Sequence, residues 1–283
     1  MSQGLSFQTN ITSLVAENNL QINSQAQSKA ITELTSGYRI NSSGDDAAGL
    51  AVANSLRSGI AELQQGVSNA NDGIAALQTV DGGLNNISNI LDQLKTLATQ
   101  SASGTFAGNR TTLNDEFTTL LGEIDRQAAN IGLASGTAGT PATQYNVSLS
   151  VYIGGGDTQA DAQVVVNLSG SGNIVDSNGL GIAGDLVDTQ AHALTAIADI
   201  DAAVINLGNV QGAVGTGEND LNYAVDLANS QLTNKSAAES NIRDANIAQE
   251  AAALTQTQVL EQSSVAALAA ANAAPQTLLK LLQ

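Results

Sequence analysis

The sequence predicts a mainly α-helical protein: a long antiparallel helical bundle or coiled coil formed by the N- and C-terminal segments, with a small β-hairpin-containing insert between them. Apolar residues recur every seven positions over two long stretches, the pattern of a helix whose seam faces another helix. Between them the pattern changes: residues 134–185 are rich in Gly, Ser and Thr, hold no Lys or Arg, and alternate as strands do. Aromatic residues are scarce, with three Phe, four Tyr and no Trp. The core must then be built from Leu, Ile, Val and Ala, which suits closely approaching helices.

Residues 1–38 read as an amphipathic helix from about Leu5, carrying Ile11, Leu14, Val15, Ile22, Ile31 and Leu34. Its stripe is broken by Asn18 and is thin, so the segment is expected to stay disordered in a free subunit until it is paired. Ser36-Gly37 ends it, and Asn41-Ser42-Ser43-Gly44 makes a turn. Asp45 and Asp46 follow where a helix N-terminus favours acceptors and negative charge. Their reading as a helix cap outweighs one as a catalytic or metal-binding carboxylate pair, because no His or Cys stands near in sequence.

The next helix carries Leu56, Ile60, Leu63, Val67, Ala70, Ile74, Leu77, Asp81, Leu84, Ile87, Leu91, Leu94 and Ala98. Consecutive steps of three around Leu84 predict one phase shift and local overwinding of the supercoil. At 1.5 Å per residue this helix is about 80–90 Å long. Its glycines are read either as close-packing positions or as tolerated surface sites. Residues 103–108 form a loop, followed by a helix with Leu113, Phe117, Leu120, Ile124 and Ala128 on one face.

In the insert, Tyr145, Val147, Leu149, Val151 and Ile153 alternate, then Val164, Val166 and Leu168, with a Gly-Gly-Gly-Asp turn between. The rest of the insert reads as surface loop. Helix returns near Thr189, with a ladder of Ile197, Ile200, Val204, Leu207, Gln211, Val214, Glu218, Leu221, Val225, Ala228 and Leu232. A break is expected around Thr233–Ser240. The last helix carries Ile247, Leu254, Val259, Leu260, Val265 and Leu268, is kinked or restarted by Pro275, and ends on Leu278, Leu279, Leu281 and Leu282.

A net charge of −17, with no basic cluster, excludes nucleic acid as a natural partner. No run approaches the roughly twenty apolar residues of a membrane span, and no cleaved signal peptide is read at the N-terminus. There is no Cys and a single His, His192, so thiol chemistry and a catalytic triad find no support. Gly179-Leu-Gly-Ile-Ala-Gly184 matches a dinucleotide fingerprint, but no strand–helix–strand unit surrounds it. No cofactor is expected.

The stretch Arg39-Ile-Asn-Ser-Ser-Gly-Asp-Asp-Ala-Ala-Gly-Leu-Ala-Val-Ala, with Asn69-Ala-Asn-Asp-Gly-Ile, Leu97-Ala-Thr-Gln-Ser and Gly122-Glu-Ile-Asp-Arg, resembles bacterial flagellin. So do Ile242-Arg-Asp-Ala-Asn, Leu254-Thr-Gln-Thr-Gln-Val-Leu and the closing Ala273-Ala-Pro-Gln-Thr-Leu-Leu-Lys-Leu-Leu. The resemblance implies a filament subunit without enzymatic activity, with a hook–filament junction protein as the alternative. It implies an inner coiled-coil layer from residues 1–38 and 245–283, using Leu5, Ile11, Leu14, Ile22, Ile31, Leu34, Leu254, Leu260, Val265, Leu268, Leu278, Leu279 and Leu282. It implies an outer tube from 39–132 and 187–244, with Arg39, Asp45, Asp46, Leu56, Ile60, Leu63, Asn71, Asp72, Ile74, Leu77, Leu94, Glu116, Ile124, Leu207 and Leu221, and a surface insert at 133–186. The implied partners are further copies of the chain, an export chaperone, and cap and hook-associated junction proteins. The implied location is the extracellular flagellum, reached without a cleaved signal. Gln93 stands where members sensed by the vertebrate innate receptor carry arginine, which implies weak activation of that receptor.

Overall fold

The computed structural model describes residues 10–135, 148–155, 162–168 and 171–281. Its elements are α1 (Ile11–Ser36), α2 (Ala47–Ala102), α3 (Arg110–Asn130), β1 (Leu149–Tyr152), β2 (Gln163–Val166), α4 (Gln190–Arg243) and α5 (Ile247–Leu281). Leu5, Tyr145, Val147 and Leu282 lie outside the described residues. The chain divides into two compact units, residues 1–58 with 235–283, and residues 59–234.

Caps account for the helix ends. The Asn10 side chain accepts from Ser13 N at 3.3 Å, and Gly37, at φ 74°, closes α1 by donating to Glu33 O. The two aspartates before α2 divide their work. Asp46 Oδ1 caps the helix by accepting from Gly49 N at 2.8 Å, whereas Asp45 Oδ2 holds the preceding turn by accepting from Asn41 N, Ser42 N and Ser42 Oγ. Those bonds favour the charged form and draw the Asp45 carboxyl below its ordinary range.

In the second unit, α2, α3, α4 and the hairpin share one apolar core. Beside the buried Gly83 and Ile90, one continuous ladder of buried residues runs along α2: Leu63, Gly66, Ala70, Gly73, Leu77, Val80, Leu84, Ile87, Leu91, Leu94, Ala98 and Ser101. This is an unbroken alternation of three and four, so the predicted phase shift at Asp81 is absent. The expectation followed the large side chains Val67, Ile74 and Asp81, one position around the helix. The true seam passes through two glycines and Val80. On α4 the same displacement occurs: Ala196, Ala203, Val210 and Gly217 are buried, in place of Ile197, Val204, Gln211 and Glu218. At Gly66, Gly73 and Gly217 the reason is the hairpin. A Cβ on Gly66 would lie 1.7 Å from Ile153 O, and one on Gly217 would lie 2.4 Å from Val166 Cγ1. Gly73 faces Val151 and Gly83 faces Ile131 in the same way. By contrast, a Cβ on Gly82 meets nothing within 4 Å.

β1 and β2 pair antiparallel, Leu149 opposite Val166 and Tyr152 opposite Gln163. Among the described residues, part of what reads as surface loop is core: Val175, Leu180 and Ile182 are buried in it, as is Val187 just after the insert. Its backbone polar groups are met by side chains from the helices beneath, which is what permits an irregular segment to be buried. Asp125 accepts from Ser177 N at 2.7 Å, Asn114 accepts from Val187 N at 2.9 Å, and Ser101 donates to Val187 O. Within the insert, the buried Asp176 accepts from Ser135 N, Ser135 Oγ and Gly179 N. The glycine fingerprint at 179–184 falls in turns, away from any strand–helix–strand unit.

Asp185 ends this segment with one carboxyl oxygen buried and unbonded. Burial, with the Asp199 carboxylate of α4 beside it, pushes the Asp185 carboxyl up to about 6 from an ordinary 3.8. A carboxyl raised in the folded state contributes fully at low pH and loses its contribution as pH rises through the raised value. Asp185→Asn should therefore raise the melting temperature above about pH 6, by a few degrees, and leave it unchanged near pH 4. Thermal melts across that range check the sign.

Three further expectations are corrected. α4 runs helical through Thr233–Ser240, because the stretch holds neither Gly nor Pro and its weak formers cost only tenths of a kcal/mol each. The break falls at residues 244–246, where Asp244 leaves the helix to pair with Tyr38. α5 runs on as one helix through Pro275 to Leu281, so it does not restart there. Finally, α4 is long and apolar enough to pass a membrane-span criterion, which the sequence reading missed. The apolar rungs Ile200, Leu207, Val210, Val214 and Leu221 are buried within the chain, so they serve as core.

Candidate assembly surface

In the first unit α1 and α5 run antiparallel. Asn10 Nδ2 donates to Ala271 O at 2.8 Å, Ser13 Oγ donates to Asn272 Oδ1 at 2.8 Å, and Asn23 Nδ2 donates to Ser264 Oγ at 2.9 Å. A short antiparallel bridge closes the far end. Arg39 N donates to Arg243 O at 2.7 Å and Ala245 N donates to Gly37 O at 2.9 Å, while the Arg243 guanidinium lies 4.1 Å from the centre of the Tyr38 ring. The described parts of both terminal segments are thus helices paired within one chain.

The composition of that pairing is unexpected. The side of α1 turned toward the chain repeats every three or four residues as Ser13, Ala16, Leu20, Asn23, Gln27, Ala30 and Leu34. Most of these are small or polar, and only Ala30 and Glu33 of α1 are buried. On α5 no described residue is buried; Leu254 and Leu268 are half-buried. Apart from Leu20, Leu34, Leu254 and Leu268, most larger apolar residues point elsewhere. Ile11, Leu14, Val15 and Ile22 of α1 are 53–57% exposed, and Val259, Leu260 and Val265 of α5 are 41–57% exposed. Ile31 and Ile247 are exposed as well. Four and seven residues apart, Ile11, Val15 and Ile22 fall on one side of the helix, so the chain presents an apolar stripe to solvent and closes on itself with its weaker face. Leu278 and Leu279 are described only as helix backbone.

Of the residues assigned to an outer layer, Leu63, Leu77, Leu94, Ile124, Leu207 and Leu221 are buried in the second unit's core, and Leu56, Ile60 and Ile74 are half-buried. Asn71, Asp72 and Glu116 are exposed on the single chain, and Arg39 spends its guanidinium on Ile242 O at 2.6 Å. The sequence reading singled out none of Leu20, Asn23, Ala30, Glu33, Gly217 or Asp176. The small rungs had a signal: small residues recurring at heptad spacing mark a seam as surely as large ones do.

Among the described residues no three His, Asp or Glu side chains converge as a metal site. His192 sits in the first turn of α4, Nδ1 at 2.6 Å from Asp188 and its backbone N on the Thr189 cap. The chemistry of this surface is burial of apolar area.

Comparisons with known proteins agree. The N-terminal helical region of bacterial flagellin matches residues 7–131, and its C-terminal helical region matches residues 197–282. A flagellin of Halalkalibacterium halodurans is 33% identical over 280 residues, covering 97% of this chain and 98% of the relative. The flagellar filament 33 kDa core protein of Treponema phagedenis is 31% identical over 283 residues, covering 97% and 98%. Among solved structures, Bacillus cereus flagellin is 25% identical and covers 61% of this chain and 94% of its own, at a TM-score of 0.46. The chain belongs to the bacterial flagellin family of filament structural proteins, which are not enzymes.

Proposed function

We propose that this chain is the swimming filament's structural subunit, and that copies join by burying the bare apolar stripe of α1 and the exposed apolar residues of α5 against one another. One observation supports the reading most: the terminal helices meet mainly through small and polar residues and leave most of their large apolar residues in water. Each such side chain gains about 1.5–3 kcal/mol when fully buried. A helical polymer offers every subunit the same surface on its neighbours, so the gain repeats along the filament. In this reading residues 1–38 and 245–283 form the inner layer, 39–132 and 187–244 the outer one, and 133–186 the outward insert. Export through the flagellum's own channel, and contacts with a chaperone, a cap and hook-associated proteins, belong to the same reading.

The test is electron microscopy of the purified chain with filament seeds or a precipitating salt, beside a truncated form lacking residues 1–38 and 245–283. Filaments from the intact chain only are expected. Filaments from both would remove the terminal helices from the mechanism, and capping of seeds without growth would point to a junction protein.

A further inference from the structure

An asparagine followed by glycine occurs once in the chain, at Asn178-Gly179. The pair is chemically labile, because glycine puts no side chain between its nitrogen and the neighbouring amide carbon. Asn178 is exposed to solvent. The glycine beside it is required by packing: a Cβ on Gly179 would lie 2.4 Å from Ile174 O and 2.4 Å from Ile174 Cγ2. The labile pair is therefore fixed where Leu180 and Ile182 enter the core.

The same turn restrains the nitrogen that would attack. Gly179 N donates at 2.7 Å to Oδ1 of Asp176, a side chain only 5% exposed. The other oxygen, Oδ2, accepts from Ser135 N and Ser135 Oγ, so a distant segment anchors this carboxylate in turn. Leu180 N donates to Asp176 O at 2.9 Å, Gly181 N to Asn178 O at 3.1 Å and Ile182 N to Ser177 O at 2.9 Å. To react, the amide nitrogen must lose its proton and turn toward the asparagine side chain. The anion bonded to it opposes the first step, and the bonded turn opposes the second.

We propose that Asn178 is a deamidation site guarded by Asp176, silent while the carboxylate holds Gly179 N and reactive once that hold opens. In the reaction Gly179 N bonds to Asn178 Cγ and the Cγ–Nδ2 bond breaks. The side-chain nitrogen leaves as ammonia, with the proton given up by Gly179 N. Water then opens the cyclic imide at either carbonyl, leaving an aspartyl or an isoaspartyl residue. The isoaspartyl product routes the main chain through the former side chain and lengthens it by a methylene. The turn bonds across residues 176–182 cannot all re-form around it, so Leu180 and Ile182 are displaced from the core. Modified subunits are thus a record of local opening in the insert. This goes beyond the assembly reading and does not depend on it.

The full-length chain is incubated in mildly alkaline buffer and then cleaved. Mass spectrometry of the peptide that holds residue 178 separates the amide from the two acids. The rate in native buffer should be at least about tenfold below that of the same chain in urea, because only locally open molecules react. Asp176→Ala should raise the native rate at least about threefold. Asp125→Ala, which frees Ser177 N and leaves the Gly179 bond in place, should raise it less. Asn178→Gln should remove the signal. Thermal melts identify the folded variants, and if Asp176→Ala is not folded, Asp176→Asn keeps the volume, gives up the charge and carries the same comparison. Equal rates in native buffer and urea, no acceleration on loss of the Asp176 carboxylate, or an equal acceleration by Asp125→Ala overturns the proposal.

Discussion

Alanine in place of Gly66 is expected to be among the most damaging small substitutions in the second unit. Its Cβ would lie 1.7 Å from Ile153 O and 2.4 Å from Ile153 C. These are backbone atoms and no side-chain rotation relieves the clash. Ile153 N and Gly154 N both donate to Ala162 O, at 2.8 and 3.2 Å, so that end of the hairpin moves as one piece. Moving it pulls Val151 and Val166 away from Gly73 and Gly217. The cost should reach about 3 kcal/mol. Gly82 is the control within the same helix, because a Cβ there meets nothing. Gly82→Ala should stabilise by about 0.5–1 kcal/mol, by removing the entropy that glycine loses in a helix interior. Urea midpoints of the two variants should move in opposite directions. Equal shifts would mean that the hairpin does not rest on α2 as described.

Ile22→Asp should act on assembly and not on the fold. Ile22 is 53% exposed on the single chain, so a charge there costs the monomer little, within about 0.5 kcal/mol. In a filament that buries the stripe, the same change removes about 1.5–3 kcal/mol of apolar burial and adds an unpaired charge. The critical concentration for polymerisation should rise at least about a hundredfold. Sedimentation of polymer against total protein gives that concentration, and a thermal melt gives the monomer's stability. Asn23→Ala, on the side that faces α5, should weaken the intrachain pair without this loss of polymer.

Much of this architecture was legible in the sequence, for a physical reason. Periods of seven and of two record which side of each element is buried, and they placed α2, α3, α4, the hairpin and the turn at 103–108. The reading failed where small residues carry the burial. Gly66, Gly73 and Gly217 are rungs because another element needs their space, and the demand comes from residues far away in sequence. Counting large apolar residues therefore displaced both seams by one position and suggested a phase shift at Asp81 that the helix lacks. The insert was misjudged for a related reason. Its composition is that of a loop, but Asp125, Asn114 and Ser101 satisfy its backbone and let Val175, Ile182 and Val187 be buried. At the terminal helices the apolar stripe was visible in the sequence. Its facing away from the partner helix was not, because sequence alone does not say which of two helix faces is used within the chain.

The account rests on apolar residues bare in one chain and covered in the polymer. Hydroxyl-radical footprinting, read by mass spectrometry on monomer and on sedimented filaments, measures this residue by residue. Ile11, Leu14, Val15 and Ile22 of α1, with Val259, Leu260 and Val265 of α5, should react readily in the monomer and fall silent in filaments. Leu77, Leu84 and Leu91 should be silent in both. If the terminal residues react as fast in filaments as in monomer, the stripes are not the joining surface and the account fails.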